Sequence, residues 1–178
     1  MTNALRMLAI MIALTGIVYP LLVTVVSHLT MPKQASGSLV WMGDQVIGSE
    51  LIAQNFKNEA YFWPRPSAVD FDPIKPAGGS NLGPTSKKLQ EEVAAKVKAL
   101  GPSAPPELVY ASGSGLDPHI SMQTAYYQME RVAKKRLIAD QEKLRAFIDS
   151  FAEGWGGRYV NVMMLNKALD EHFPLKPL

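Results

Sequence analysis

The sequence contains no cysteine among its 178 residues and only three histidines. The absence of cysteine excludes disulfides, cysteine-ligated zinc and thiol catalysis. The histidines, His28, His119 and His172, lie far apart and none belongs to an H-E-x-x-H motif, so no metal site is predicted. The acidic residues show no pair whose spacing would indicate joint acid–base catalysis.

The sequence also lacks an excess of either charge. Eighteen basic residues accompany sixteen acidic residues, which gives a formal net charge of +2. A field this weak does not favour nucleic acid or an anionic lipid surface as a ligand.

One long apolar run dominates the amino-terminal region. Met7–Leu29 contains no charged side chain, and a helix of this length would reach about 35 Å, enough to cross a hydrocarbon layer of roughly 30 Å. We predict a transmembrane helix over residues 7–29, after a cytoplasmic tail of residues 1–6. The alternative is a cleaved signal peptide, but its apolar region would span only about 7–15 residues.

The orientation of the helix follows from charge. Arg6 and the amino terminus lie at one end of the apolar run, and positively charged flanks stay in the cytoplasm. We therefore expect residues 30–178 to form a single extracytoplasmic domain, anchored to the cytoplasmic membrane by one helix.

The predicted transmembrane helix carries a stripe of small or weakly polar residues. Their spacings of four, three, four, four and three residues would place them on one helix face, where another membrane helix can approach closely. These helix-packing candidates are Ala9, Ala13, Gly16, Pro20, Thr24 and Ser27.

The rest of the chain predicts a mixed α/β domain. Ser38–Met42 and Gln45–Ile47 indicate a hairpin, and two prolines predict an extended segment over Tyr61–Ser67. Three helices are predicted after capping residues, followed by a strand over Tyr159–Met163 and a last helix ending near Pro174. The capped helices begin after Ser86, Ser121 and Asp140.

Some finer features are predicted within these elements. Glu107–Ala111 is interpreted as a buried strand, and Glu92 with Lys96 as an ion pair on the first capped helix. The cluster Lys134-Lys135-Arg136 is interpreted as a solvated helix end that complements the helix dipole.

Two glycine-rich loops are the remaining candidates for function. Gly78, Gly79, Ser80 and Asn81 could present consecutive N–H groups to an anion, although a structural turn is the simpler interpretation. Ser114, Asp117 and His119 would suggest a hydrolase, but a catalytic triad draws its members from separate elements, whereas these three occupy one loop.

Eight distinctive segments run in order along nearly the whole chain: GIVYPLLVT (16–24), QASGSL (34–39), GSELIAQNF (48–56), YFWPRPSA (61–68), GGSNLGP (78–84), ASGSGLDPHI (111–120), RVAK (131–134) and VNVMMLNKALD (160–170). Together these segments resemble the KdpC family, the C subunits of the bacterial Kdp potassium-transporting P-type ATPases.

This resemblance implies a non-catalytic subunit in the bacterial inner membrane. Its partners would be an ion-conducting subunit, an ATP-hydrolysing subunit and a very small accessory subunit. The family role is that of a catalytic chaperone that raises the ATP affinity of the hydrolysing subunit and holds the complex together. We expect no firmly bound cofactor, and ATP would act through the complex.

The predicted topology conflicts with direct contact to ATP, which is bound on the cytoplasmic side. We expect any effect on ATP affinity to pass through helix packing and subunit contacts, and direct contact through Gly78–Asn81 is the alternative. The candidate subunit-contact residues are Arg65, Asn81, Ser114, Asp117 and His119. The other classes left open are a membrane-tethered hydrolase that uses Ser114 and His119, and a structural envelope module.

Overall fold

The structure, a computed structural model, describes residues 2–175. It divides between Ile47 and Gly48 into two compact units. The predicted fold class, a mixed α/β domain with one amino-terminal apolar helix, is confirmed. Met1 of the predicted tail and residues 176–178 of the predicted domain lie outside the described residues.

The first unit begins with one helix, Thr2–Thr30, that is long and apolar enough to cross a membrane. It consists of α1 (Thr2–Ala13), a π-helical turn (Leu14–Val18) and α2 (Tyr19–Thr30). The helix starts before the apolar run, so Arg6 extends from its first turns. The hydroxyls of Thr15, Thr24 and Thr30 each donate to the carbonyl four residues earlier, which satisfies these polar groups within the helix.

The π-turn lies immediately before Pro20. Proline has no N–H, and its ring crowds the carbonyl four residues before it, here that of Gly16. The Tyr19 N–H bonds to Leu14 O, five residues back, which widens the turn at this point. The irregular turn of the helix therefore coincides with the position of the proline.

The apolar helix is followed by a short helix and a hairpin. The helix is α3 (Pro32–Ala35), and the strands are β1 (Leu39–Met42) and β2 (Gln45–Ser49). Gly43 has φ +58° at the first position of the connecting turn. This left-handed conformation is open to glycine at little cost and permits a tight two-residue turn, so the predicted hairpin is confirmed.

The second unit packs helices around a small antiparallel sheet. Its strands lie in the order β3-β5-β4, with Ile120 opposite Val160 and Ala152 opposite Val160 on the other side. The elements in chain order are α4 (Lys87–Leu100), α5 (Pro106–Val109), β3 (His119–Ser121), α6 (Met122–Arg136), α7 (Gln141–Asp149), β4 (Ala152–Glu153), β5 (Tyr159–Asn161) and α8 (Val162–His172).

The core joins Phe62 to residues of α6, α7, β3, β5 and α8. Burial of these side chains stabilises the domain in proportion to the apolar area removed from water. Its members are Phe62, Ile120, Ala125, Val132, Ala133, Leu144, Ile148, Val160, Val162, Leu165 and Leu169.

The predicted capping residues begin their helices as expected. Ser86 accepts a hydrogen bond from Leu89 N, Ser121 from Thr124 N, and Asp140 from Lys143 N. Each cap satisfies a backbone donor that the first turn of a helix leaves without an intrahelical partner. The last helix and the strand before it are also present, although that strand ends at Asn161.

Side-chain amides hold the segment around Phe62, which forms neither helix nor strand. Asn166 on α8 accepts from Phe62 N and donates to Phe62 O, both at 2.9 Å. Gln128 on α6 does the same for Trp63, at 2.8 and 3.0 Å. We call Asn166 and Gln128 the amide clamp, because each satisfies both peptide groups of a residue that has no strand beside it.

Two arginines extend this arrangement toward the amino terminus of the segment. Arg131 donates to the carbonyls of Glu59 and Tyr61, and its guanidinium lies 3.8 Å from the Trp63 ring centre. Arg136 donates to Ala60 O at 2.8 Å and forms an ion pair with Asp170 at 2.7 Å. The side chain of Arg136 is fully buried.

Three finer predictions are wrong. Residues 106–109 form helix α5 because Pro106 is pre-set for the first turn of a helix, whereas a strand was predicted. Glu92 lies 4.0 Å from Lys88, while Lys96 donates to Val109 O. Arg136 is buried against Asp170, so the predicted solvated cluster 134–136 includes only Lys134 and Lys135 as exposed residues.

Removal of the Asn166 amide tests the clamp. We expect Asn166→Ala to lower the free energy of unfolding by about 3 kcal/mol, since it leaves the N–H and C=O of buried Phe62 without partners. Denaturant unfolding of the full chain in detergent measures the change. Gln90→Ala, at an exposed position of α4, is the control and should change it by less than about 0.5 kcal/mol. Equal losses in the two variants would contradict the role of the clamp.

Candidate functional site

A cavity of about 370 Å³, lined mainly by charged and polar residues, lies beside β3 and β5 in the second unit. It gathers three of the predicted subunit-contact residues, Arg65, Asp117 and His119. Glu107, Arg158 and Tyr159 also line it, although the sequence analysis did not identify them. The fold therefore concentrates charged groups of both signs in one concave surface.

Arg65 enters the cavity from the segment between Pro64 and Pro66. The carbonyl of Pro66 accepts a hydrogen bond from Ser112 N at 3.0 Å, which fixes this segment to the loop before β3. The Nη1 atom of Arg65 lies 3.4 Å from Asp117 Oδ2, which is a single long contact. Its Nε is buried and has no hydrogen-bond acceptor within residues 2–175.

Glu107 is held rigidly at the cavity wall by the amino-terminal end of α6. Its Oε2 accepts from Ser121 N at 2.9 Å and from the Thr124 hydroxyl at 2.7 Å. Burial alone raises the pKa of the Glu107 carboxyl, but these hydrogen bonds and the charge of Arg65 outweigh it, so the pKa lies below the ordinary value. The carboxylate is therefore ionised at neutral pH.

His119 lies between two carboxylates. Its Nδ1 is 3.8 Å from Asp117 Oδ1 and its Nε2 is 3.5 Å from Glu153 Oε2 on β4. The imidazole also meets the Tyr159 ring edge to face, with ring centres 5.3 Å apart. Asp117 is fixed in turn, because its Oδ1 accepts from His119 N at 3.0 Å.

The two glycine-rich loops pack against each other. Gly78 N donates to Ser114 O at 2.9 Å, so this N–H is unavailable to an anion. Gly115 has φ +71°, and a Cβ there would lie 2.9 Å from Gly78 O, so only glycine fits this approach. Asn81 has φ +53° in the neighbouring turn. The structure thus joins two loops that the sequence presented separately.

The residues considered for hydrolysis are not brought together. The Ser114 hydroxyl accepts from Leu116 N at 3.1 Å, and no hydrogen bond joins it to His119 in the described part of the chain. Residues 2–175 also contain no group of three His, Cys, Asp or Glu side chains arranged to hold a metal ion. The geometry offers ion pairing and hydrogen bonding.

Glu107 was missed for an identifiable reason. It was predicted to lie in a buried strand, whereas it lies in α5 and its carboxylate accepts from Ser121 N at the cap of α6. The Pro105-Pro106 pair could have indicated a helix start. Arg158 and Glu153 carried no local signal, because their position depends on the antiparallel pairing of β4 with β5.

The fold and cavity define a class of protein: a small α/β domain that follows one helix of membrane-spanning length and carries a cavity lined by charged residues. The family model described as "KdpC: K+-transporting ATPase, c chain" matches residues 1–171. The chain belongs to the KdpC family.

Known relatives share this sequence over nearly their whole length. The potassium-transporting ATPase KdpC subunit of Rhodospirillum rubrum is 45% identical over 97% of this chain and 95% of its own length. The corresponding subunit of Yersinia pseudotuberculosis is 45% identical, with 97% and 93% covered. That of Synechocystis is 42% identical, with 94% and 95% covered.

The pKa of Glu107 gives a prediction with a definite sign. A carboxyl whose pKa is lowered by folding contributes stability above its unfolded value, near 4.5, and loses it as pH falls through the folded pKa. We expect Glu107→Gln to lower the free energy of unfolding by about 1 kcal/mol at pH 7, where two charge-assisted hydrogen bonds become neutral ones. The deficit should shrink toward pH 3.

Denaturant titrations at both pH values measure this difference. Glu91→Gln, on the exposed surface of α4, is the matched control and should behave as the wild type at both. A deficit of Glu107→Gln that stays constant between pH 7 and pH 3 would contradict the assignment.

Proposed function

We propose that this protein is a non-enzymatic accessory subunit of a potassium-transporting ATPase in the bacterial inner membrane. The observation that carries the proposal is membership of the KdpC family over residues 1–171. The relatives named above are subunits of such an ATPase. The chain would assemble with an ion-conducting subunit, an ATP-hydrolysing subunit and a very small accessory subunit, and it would hold these together.

The topology proposed for the chain places its second unit outside the cytoplasm. Arg6 extends from the first turns of a helix whose remaining residues, 7–30, are uncharged. Positive charge at the amino-terminal flank favours retention of that end in the cytoplasm. Lys33, at the other end, is one positive charge further from the apolar run and weakens this bias slightly.

The proposed effect on the ATPase is that of a catalytic chaperone that raises the affinity of the hydrolysing subunit for ATP. An extracytoplasmic domain cannot contact ATP on the opposite side of the membrane. The effect would therefore pass through the membrane helix and subunit contacts. Direct contact through Gly78–Asn81 is the competing route. It is less favoured, because the Gly78 N–H is already bonded to Ser114 O.

The membrane helix offers a surface for this coupling. A Cβ added at Gly16 would meet nothing within 4 Å, so this position is open to a neighbouring helix. The hydroxyl of Thr24 is bonded to Pro20 O, and the stripe of small residues would therefore contribute close packing.

Cysteine labelling in intact cells tests the topology. The chain contains no natural cysteine, so Ser103→Cys, in the exposed turn after α4, and Thr2→Cys, at the start of α1, each introduce one thiol without background. We expect a membrane-impermeant maleimide to label Ser103→Cys directly, and Thr2→Cys only after the membrane is opened. The reverse pattern would place the domain in the cytoplasm and restore direct ATP contact.

A substitution in the stripe tests coupling to the ATPase. We expect Gly16→Leu to lower recovery of the ATPase with the tagged chain roughly tenfold, because a loss of about 1–2 kcal/mol in helix packing corresponds to that factor. The ATP concentration for half-maximal hydrolysis should rise in the remaining complex. Val18→Leu, two residues further along the helix, is the control.

Unchanged recovery and unchanged ATP dependence in Gly16→Leu would exclude this face as the route. Absence of any ATPase in the wild-type preparation would contradict the accessory-subunit proposal itself.

A further inference from the structure

Three cavities of the second unit are lined by basic side chains, which differ in the hydrogen bonds that they make. In the groove beside Trp63, the Arg131 guanidinium bonds to two carbonyls and to Gln128 Oε1. In the cavity beside Gly79, Lys96 donates to Val109 O. The cavity around Arg65 is different, because this arginine makes few hydrogen bonds.

The guanidinium of Arg65 has five N–H donors and makes one hydrogen bond within residues 2–175, at 3.4 Å. Good arginine–carboxylate pairs are bidentate with distances near 2.7–2.9 Å. The buried Nε has no acceptor among these residues. A buried donor without an acceptor is unfavourable, so a further acceptor would stabilise Arg65.

The carboxylates already in the cavity accept no hydrogen bond from Arg65 Nε within residues 2–175. Glu107 is held by Ser121 N and the Thr124 hydroxyl, and Asp117 by His119 N. These bonds fix both carboxylates against the backbone. They hold the carboxylates beside Arg65, whose side chain remains 29% exposed.

A second arginine lies at the rim. Arg158 is exposed, and its carbonyl accepts from Met122 N at 3.1 Å, which fixes its backbone at the start of β5. Arg65 and Arg158 therefore approach the same cavity from different elements.

An exposed tryptophan lies in a turn that packs on a cavity residue. Trp155 is 95% exposed in the turn between β4 and β5. The adjacent Gly154 has φ +77°, and a Cβ there would lie 2.5 Å from the Tyr159 ring, so the turn packs directly on a residue that lines the cavity. Trp and Arg are the residue types that contribute most at protein interfaces.

We propose that the cavity around Arg65 and Arg158 receives an Asp or Glu side chain from a partner subunit, while Trp155 packs on the same partner. The occupant is a polypeptide, because the lining carries two carboxylates, Glu107 and Asp117, beside its two arginines. Such mixed charge suits a protein surface, which presents N–H donors as well as a carboxylate, better than a doubly charged phosphate or an anionic lipid surface. The inference rests on the proposed function, since the partner is a subunit of the same ATPase.

Trp155→Ala gives the cleanest test, because a side chain that contacts almost nothing contributes little to folding. We expect the tagged full-length chain with this substitution to recover at least threefold less ATPase from mild detergent. Arg65→Glu and Arg158→Glu should each reduce recovery about tenfold. Arg145→Glu, at an exposed position of α7, is the matched control and should recover the wild-type amount.

Partner substitutions provide the second arm. Suppressors of Arg158→Glu selected under potassium-limited growth should replace an Asp or Glu of a partner subunit by Lys or Arg, and should fail to rescue Trp155→Ala. Suppressors that arise only within this chain would overturn the carboxylate assignment.

The outcomes separate this inference from the proposed function. Wild-type recovery of the ATPase with all three variants, Trp155→Ala, Arg65→Glu and Arg158→Glu, would overturn the docking surface and leave the accessory role intact. A defect present in anionic-lipid nanodiscs and absent in neutral detergent would identify a lipid surface as the occupant and would also overturn the proposal.

Discussion

The amide clamp is the constraint on which the second unit depends. The segment that contains Phe62 crosses the core and has no strand next to it. Its buried peptide groups therefore need other hydrogen-bond partners, because buried groups without partners are costly. Asn166 and Gln128 supply those partners from two different helices, α8 and α6. The clamp therefore fixes α6, α8 and the segment in one arrangement. Arg65, two residues beyond Trp63, takes its position in the cavity from this arrangement.

Features encoded locally could be predicted from the sequence. Ser86, Ser121 and Asp140 begin their helices because a capping side chain bonds to a backbone N–H within three residues. Helix α5 was missed because its four residues, two of them buried, show the same short apolar pattern as a strand. The burial of Arg136 was missed because its carboxylate partner, Asp170, is 34 residues away.

The grouping of residues in the cavity could likewise be predicted only where the signal is local in sequence. The Pro-Arg-Pro segment drew attention to Arg65, and the loop before β3 to Asp117 and His119. Their grouping with Glu107 and Glu153 depends on a helix cap and on the pairing of a two-residue strand, and neither leaves a readable signal in sequence. Contact between the two glycine-rich loops depends likewise on the close approach of Gly115 to Gly78.

The π-turn changes the geometry of the membrane helix beyond Pro20. A wide turn contains about one residue more than a regular turn, and one residue corresponds to a rotation of roughly 100° about the helix axis. Ala9 and Ala13, before the turn, therefore point in a direction about a quarter revolution away from that of Thr24 and Ser27 after it. The predicted stripe therefore consists of two parts that face different directions, one before the π-turn and one after it.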